Sequence, residues 1–137
     1  MATINKFEEL EIWQLAWEYA RRIWLLTCEP PFSIDYKLRD QINDAAGSSM
    51  DNIAEGFERD GNKEFIQFLI VAKASAGETR SQWHRLFDKD YITNEEYNKG
   101  LSELHGITYL ISQLITYLQK SELKGTKFHK RNSKPDS

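Results

Sequence analysis

The stretch from Gln41 to Arg59, QINDAAGSSMDNIAEGFER, constrains the fold more than any other part of the chain. Drawn as a helix at about 100° per residue, it separates into three chemically distinct faces. Gln41, Ala45, Ser48, Asn52, Glu55 and Arg59 line up as a small and polar stripe. A second stripe, apolar, reads Leu38, Ile42, Ala46, Ser49, Ile53 and Phe57. The remaining arc carries Asp40, Asp44, Asp51 and Glu58, as a solvated surface requires. A helix with two surfaces to bury belongs at the centre of a bundle or against a partner subunit.

Periodicity extends this pattern to four helices, expected at about 7–27, 34–59, 62–88 and 93–121. The first repeats Leu10, Trp13, Trp17, Ala20 and Trp24, and stops before Pro30-Pro31, where helical geometry is disfavoured. Ser33 or Asp35 is positioned to cap the second, which ends before the Asp60-Gly61-Asn62 turn, and Asn62 is the expected cap of the third. That third helix presents Phe65, Leu69, Ala72, Ala76, Thr79, Trp83 and Leu86 on one face. Thr93 and Glu96 stand at capping-box spacing before the fourth, whose core stripe reads Tyr97, Leu101, Leu104, Thr108, Ile111, Ile115 and Leu118. Short breaks between such helices predict an all-α fold, an up-down-up-down antiparallel four-helix bundle over residues 1–121. Residues 122–137 are expected to form a basic, disordered tail.

Two helices carry more apolar surface than one core needs. Helix 1 has a second stripe, Ile12, Leu15, Tyr19, Ile23 and Leu26, away from the tryptophans, and helix 4 adds Leu110, Leu114 and Tyr117. Large exposed apolar patches are unusual on monomers, so the surplus predicts a homo-oligomer. The alternative is a wide core in which tilted helices bury both stripes.

The net charge of −3 is unevenly spread: up to Leu118 there are 12 Lys/Arg against 19 Asp/Glu, a balance of −7, and the rest balances +4. Lys120, Lys124, Lys127, Lys130, Arg131 and Lys134 make the tail a candidate for holding RNA. A solubilising end is the plainer reading of the same charges. The lone Cys28 excludes an internal disulfide and fits a reducing compartment. With no signal peptide and no uncharged apolar run of about 18 residues, the chain reads as cytoplasmic, without a membrane partner.

Catalytic constellations are not apparent in the sequence. The Glu-x-x-His spacing of helical metal sites does not occur, and Glu8-x-x-Glu11 and Glu55-x-x-Glu58 lack the Glu-x-x-Asp run that magnesium-dependent pyrophosphatases add. Gly56 and Gly61 build no phosphate loop. Cys28 sits at a helix C-terminus beside two prolines and reads as inert, and Ser48 and Ser49 have no histidine in their helix to act as base. The expectation is therefore a protein that is not an enzyme and takes neither cofactor nor metal. What remains is the polar stripe Gln41, Ser48, Asn52, Glu55 and Arg59, with Arg80 of helix 3 as cross-helix partner for Glu55. A structural clasp is favoured over a ligand contact.

At this point the residues resemble a known family. Pro31-Phe32, Tyr36-Lys37-Leu38, Gln41-Ile42, Ala45-Ala46, Ser49 and the block Asn52-Ile53-Ala54-Glu55-Gly56 with Arg59 are similar to the 23S rRNA intervening-sequence protein family. The likeness continues through Glu64-Phe65, Phe68-Leu69, Ala72, Ser75-Ala76 and Glu78-x-Arg80-Ser81. It implies a bundle assembled into a five-fold homo-oligomeric ring. A related branch, the accessory variability determinant of diversity-generating retroelements, is a basic ring that binds a reverse transcriptase and nucleic acid. This chain departs from the pattern, with Asn43-Asp44 where many members place basic residues and Ala74-Ser75 for the usual Gly-Ser. The expected function is a non-enzymatic homo-oligomeric scaffold or adaptor, the alternative being a ring that binds RNA or a nucleic-acid-binding protein through its basic tail.

Overall fold

A break at Leu10 decides where the first helix begins. In the computed structural model, which describes residues 3–123, Phe7–Glu9 form a single 3-10 turn and Leu10 is extended at ψ 125°. Helix α1 therefore runs over Glu11–Leu26, starting later than its apolar spacing predicts. Phe7 folds back onto Trp13 with ring centroids 5.1 Å apart, so the residues ahead of the break are still packed. At the other end the Thr27 hydroxyl donates to the Trp24 carbonyl at 2.7 Å, closing the last turn.

Asp35 caps α2 (Tyr36–Glu58) by accepting from the Leu38 amide at 3.4 Å. Helix α3 spans Asn62–Asp88, and Gly61, at φ 105°, is its cap in place of Asn62. Glycine alone takes that left-handed backbone without strain, so the chain reverses at Gly61 and Asn62 already lies buried in the first turn. Helix α4 covers Asn94–Leu123 and opens on the expected capping box: Glu96 Oε1 accepts from the Thr93 amide at 2.8 Å and Thr93 Oγ1 from the Glu96 amide at 3.1 Å.

The four helices form one bundle around a shared core. Helix α2 contributes Leu38, Ile42, Ala46, Ser49, Ile53 and Phe57, and α3 contributes its whole expected stripe. In α1 the assignment of faces is reversed. Ile12, Ala16, Tyr19 and Ile23 are buried, while Trp17 is 41% and Trp24 57% exposed. Indoles are rarely buried completely because of their size. Here Trp13 stacks on Trp17 at 5.3 Å, and the Arg21 guanidinium covers Trp17 at 4.4 Å. In α4 the seam turns toward Ile107, which is buried with Leu104, Ile111 and Leu118, leaving Tyr97, Leu101, Thr108 and Ile115 only partly covered. Packing is most extensive between α2 and α3 and between α3 and α4, and much sparser between α1 and α4.

Candidate functional site

The polar stripe of α2 turns toward α3 and meets it at Ser48, with Ser49 of the apolar stripe bonded beside it. Ser48 Oγ lies 3.0 Å from Ser75 Oγ, and Ser49 Oγ donates to the Ala72 carbonyl at 3.1 Å. Asn52 Nδ2 donates back to the Ser48 carbonyl at 2.8 Å and to its hydroxyl at 3.1 Å, which fixes the serine's direction. Nearer the start of α2, Arg85 Nη1 donates to Gln41 Oε1 at 3.4 Å. Gly56 closes the other end: a Cβ there would stand 2.6 Å from Phe68 Cβ and 3.0 Å from Phe65 Cδ1. Only a residue without a side chain lets the two backbones approach this closely.

Glu55 and Arg80 do not meet. Glu55 Oε1 instead accepts from Arg59 Nη2 at 3.0 Å, one turn along α2, with Arg59 also 5.0 Å over the Phe68 ring. The reason is register. Gly56 packs on Phe65 and Phe68, and Arg80 lies twelve residues beyond Phe68, about 18 Å further at 1.5 Å per residue. Among the described residues Arg80 makes no ion pair. The stripe is thus joined to α3 by hydroxyls and one amide, while its own ion pair is half exposed and contributes about 0.3–0.5 kcal/mol.

Of the tail residues, Lys120 is exposed on the last turns of α4, and Lys124, Lys127, Lys130, Arg131 and Lys134 lie outside the described residues. Cys28 is exposed, its thiol 3.3 Å from the Trp24 carbonyl. His84 Nδ1 lies 2.7 Å from the Tyr97 hydroxyl across α3 and α4. Among the described residues no three His, Cys, Asp or Glu side chains converge as metal ligands, and no helix is long and apolar enough to cross a membrane.

Two polar clusters carry no signal in the sequence, because each joins residues far apart in the chain. Asp35 Oδ2 accepts from Lys89 Nζ at 3.0 Å and from the Tyr91 hydroxyl at 2.9 Å, tying the start of α2 to the loop after α3. The Lys89 bond, then the Tyr91 bond, hold the Asp35 carboxyl below the usual aspartate range, and the bond to Asp35 pushes the Tyr91 hydroxyl up. A carboxyl whose pKa is depressed by folding stabilises the fold above its unfolded value of about 3.9, and that stability is lost as pH falls through the folded value. Asp35→Asn keeps the cap but loses the charge pair. It is expected to cost less than about 1 kcal/mol at pH 7, and in urea titrations the gap from wild type should close as pH falls through the folded Asp35 value.

The second cluster bridges the open seam. Arg22 forms a two-pronged pair with Glu103, Nη1 to Oε1 at 2.7 Å and Nη2 to Oε2, and this bond above all raises the arginine's pKa. Beneath it the Tyr19 hydroxyl is pushed well above the ordinary phenol range, mainly by burial and then by Glu103. Tyr19 lines a cavity of about 10 Å³ with Ala16, Ser49 and Thr79. That is room for about one water and far below what a substrate needs.

These contacts define a four-helix bundle of the all-α class whose most polar seam holds two helices in register. The chain belongs to the family described as 23S rRNA-intervening sequence protein, which it matches over residues 8–113. It is also similar to a crystal structure, at 1.70 Å resolution, of a protein with unknown function from the S23 ribosomal protein family of Bacteroides thetaiotaomicron VPI-5482. The TM-score is 0.69 at 24% identity, covering 76% of this chain and 97% of that one, a likeness of fold. No curated protein matches the sequence. Neither match carries a reaction or an assigned role.

Proposed function

We propose that the chain is a non-enzymatic subunit of a homo-oligomeric ring, a scaffold or adaptor built from up-down antiparallel bundles. The observation that carries this reading is the apolar surface a single copy leaves uncovered. Trp17, Trp24 and Leu25 on α1, Ile70 and Val71 on α3 and Tyr109 on α4 are all more than two-fifths exposed. Trp and Tyr are the residues that most often anchor protein interfaces. The antiparallel part is supported by the α2–α3 contacts, since Gln41, Ser48 and Phe57 meet Arg85, Ser75 and Phe65, numbers rising on one helix as they fall on the other. Five-fold closure and a link to the accessory variability determinant rest on the family resemblance. A single free cysteine supports a cytoplasmic setting.

Native mass spectrometry at micromolar concentration is expected to give a multiple of the 16.1 kDa chain, five-fold for the ring. A single-chain mass sinks the proposal. Nucleic acid retained through purification at low salt and released when residues 122–137 are deleted supports the second reading, a ring that binds RNA through its tail.

A further inference from the structure

Asp44, Asp51 and Glu58 stand on the solvent face of α2 at seven-residue steps, and Lys73 and Arg80 stand on α3 at the same step. Seven residues are about 10.5 Å of helix, so the two rows have one spacing. Among the described residues none of these side chains makes an ion pair or hydrogen bond within the chain. Each row also encloses a glycine, Gly47 and Gly77, where an added Cβ would meet nothing within 4 Å. The order matches in reverse: Asp44-x-x-Gly47-x-x-x-Asp51 along α2, and Arg80, Gly77, Lys73 at the same steps backward along α3.

Within one copy these rows share a height and not a face. The bond between Ser48 and Ser75 sets Asp44 within about one residue of the level of Arg80, Gly47 of Gly77 and Asp51 of Lys73. The α2 row points to solvent. The α3 row continues at its own spacing to His84, which is bonded to Tyr97 of α4, and so lies along the α3–α4 edge. A rotation about an axis parallel to the helices preserves height, so groups level with each other in one copy come level with each other between copies.

We infer that the α2 row of one copy docks on the α3 row of the next, Asp44 against Arg80 and Asp51 against Lys73, with Gly47 and Gly77 meeting between them. This inference rests on the homo-oligomeric reading above and adds to it a charged contact distinct from the exposed apolar residues that carry that reading. The contact joins two different patches, the kind that closes into a ring when its rotation fits. The glycines leave no side chains to hold the backbones apart, and opposite charges fix register and exclude a two-fold contact of either row with itself.

Charge reversal tests it with the full chain. Asp44→Lys with Asp51→Lys sets lysines against Lys73 and Arg80, and Lys73→Glu with Arg80→Glu sets glutamates against Asp44 and Asp51. Either double variant is expected to run at the 16.1 kDa of one chain in native mass spectrometry with wild-type helicity by circular dichroism. All four substitutions in one chain should restore the wild-type mass. An oligomeric wild type whose mass neither double variant changes overturns the docking and leaves the ring standing, as does a quadruple variant that stays single. A monomeric wild type overturns both.

Discussion

Gly100→Ala should destabilise the bundle by about 1–3 kcal/mol, lowering the midpoint of thermal unfolding by roughly 4–12 °C for a domain of this size. A Cβ at position 100 would stand 2.4 Å from Cε2 and Cζ2 of Trp83 and 2.6 Å from its Nε1. The indole cannot simply swing away. Trp83 is buried, packs edge-on against Tyr19 at 5.7 Å, and donates from Nε1 to the Tyr97 carbonyl at 3.0 Å. Moving the ring strains this packing and puts at risk a hydrogen bond worth about 1 kcal/mol, which outweighs the gain of up to about 1 kcal/mol from replacing glycine in a helix. Gly106, on the same helix, is the internal control. A Cβ there meets nothing within 4 Å, so Gly106→Ala should raise stability by up to about 1 kcal/mol. Opposite signs in urea unfolding are the expected result, and equal shifts for both variants would refute the close contact with Trp83.

The same contrast shows what the sequence disclosed and what it withheld. The presence of four helices and the α2 and α3 core stripes were legible because they depend on local spacing, as the Thr93–Glu96 capping box does. The choice between two apolar stripes on α1 was not. Hydrophobicity favours the tryptophans, but the bundle's interior takes Ile12, Ala16 and Ile23, and leaves the larger indoles on its flank. Nothing in the sequence sets Gly56 and Gly100 apart from other helical glycines, and only the partner helix reveals that each makes room for an aromatic side chain. The polar stripe follows from spacing within α2 alone. Its partners depended on the register between helices, which is why Ser75 and Arg85 meet the stripe where Arg80 was expected. The Arg22–Glu103 and Asp35–Lys89–Tyr91 clusters require knowing which helices are neighbours.

Register also sets the expected ranking of substitutions within the block Asn52-Ile53-Ala54-Glu55-Gly56. Ile53 is completely buried, so Ile53→Ala should cost about 2–5 kcal/mol, the lost transfer energy plus a cavity in a close-packed core. Gly56→Ala places a methyl group 2.6 Å from Phe68 Cβ and 3.3 Å from the Phe65 carbonyl oxygen, where backbone and not a flexible side-chain tip must yield. About 1–3 kcal/mol is expected, because separating α2 from α3 there also loosens the edge-on packing of Phe57 and Phe65 at 6.0 Å. Glu55→Ala removes only the exposed pair with Arg59, worth about 0.3–0.5 kcal/mol. Urea unfolding of the three variants should therefore fall in the order Ile53, Gly56, Glu55. The order bears on function as well as stability. If Glu55→Ala were as costly as Ile53→Ala, the carboxylate would be holding the helices together and the clasp would be ionic. If instead Glu55→Ala leaves both stability and oligomer mass unchanged, neither the contact between α2 and α3 nor the ring explains the glutamate in this block, and its exposed carboxylate becomes the first place to look for a contact with a partner.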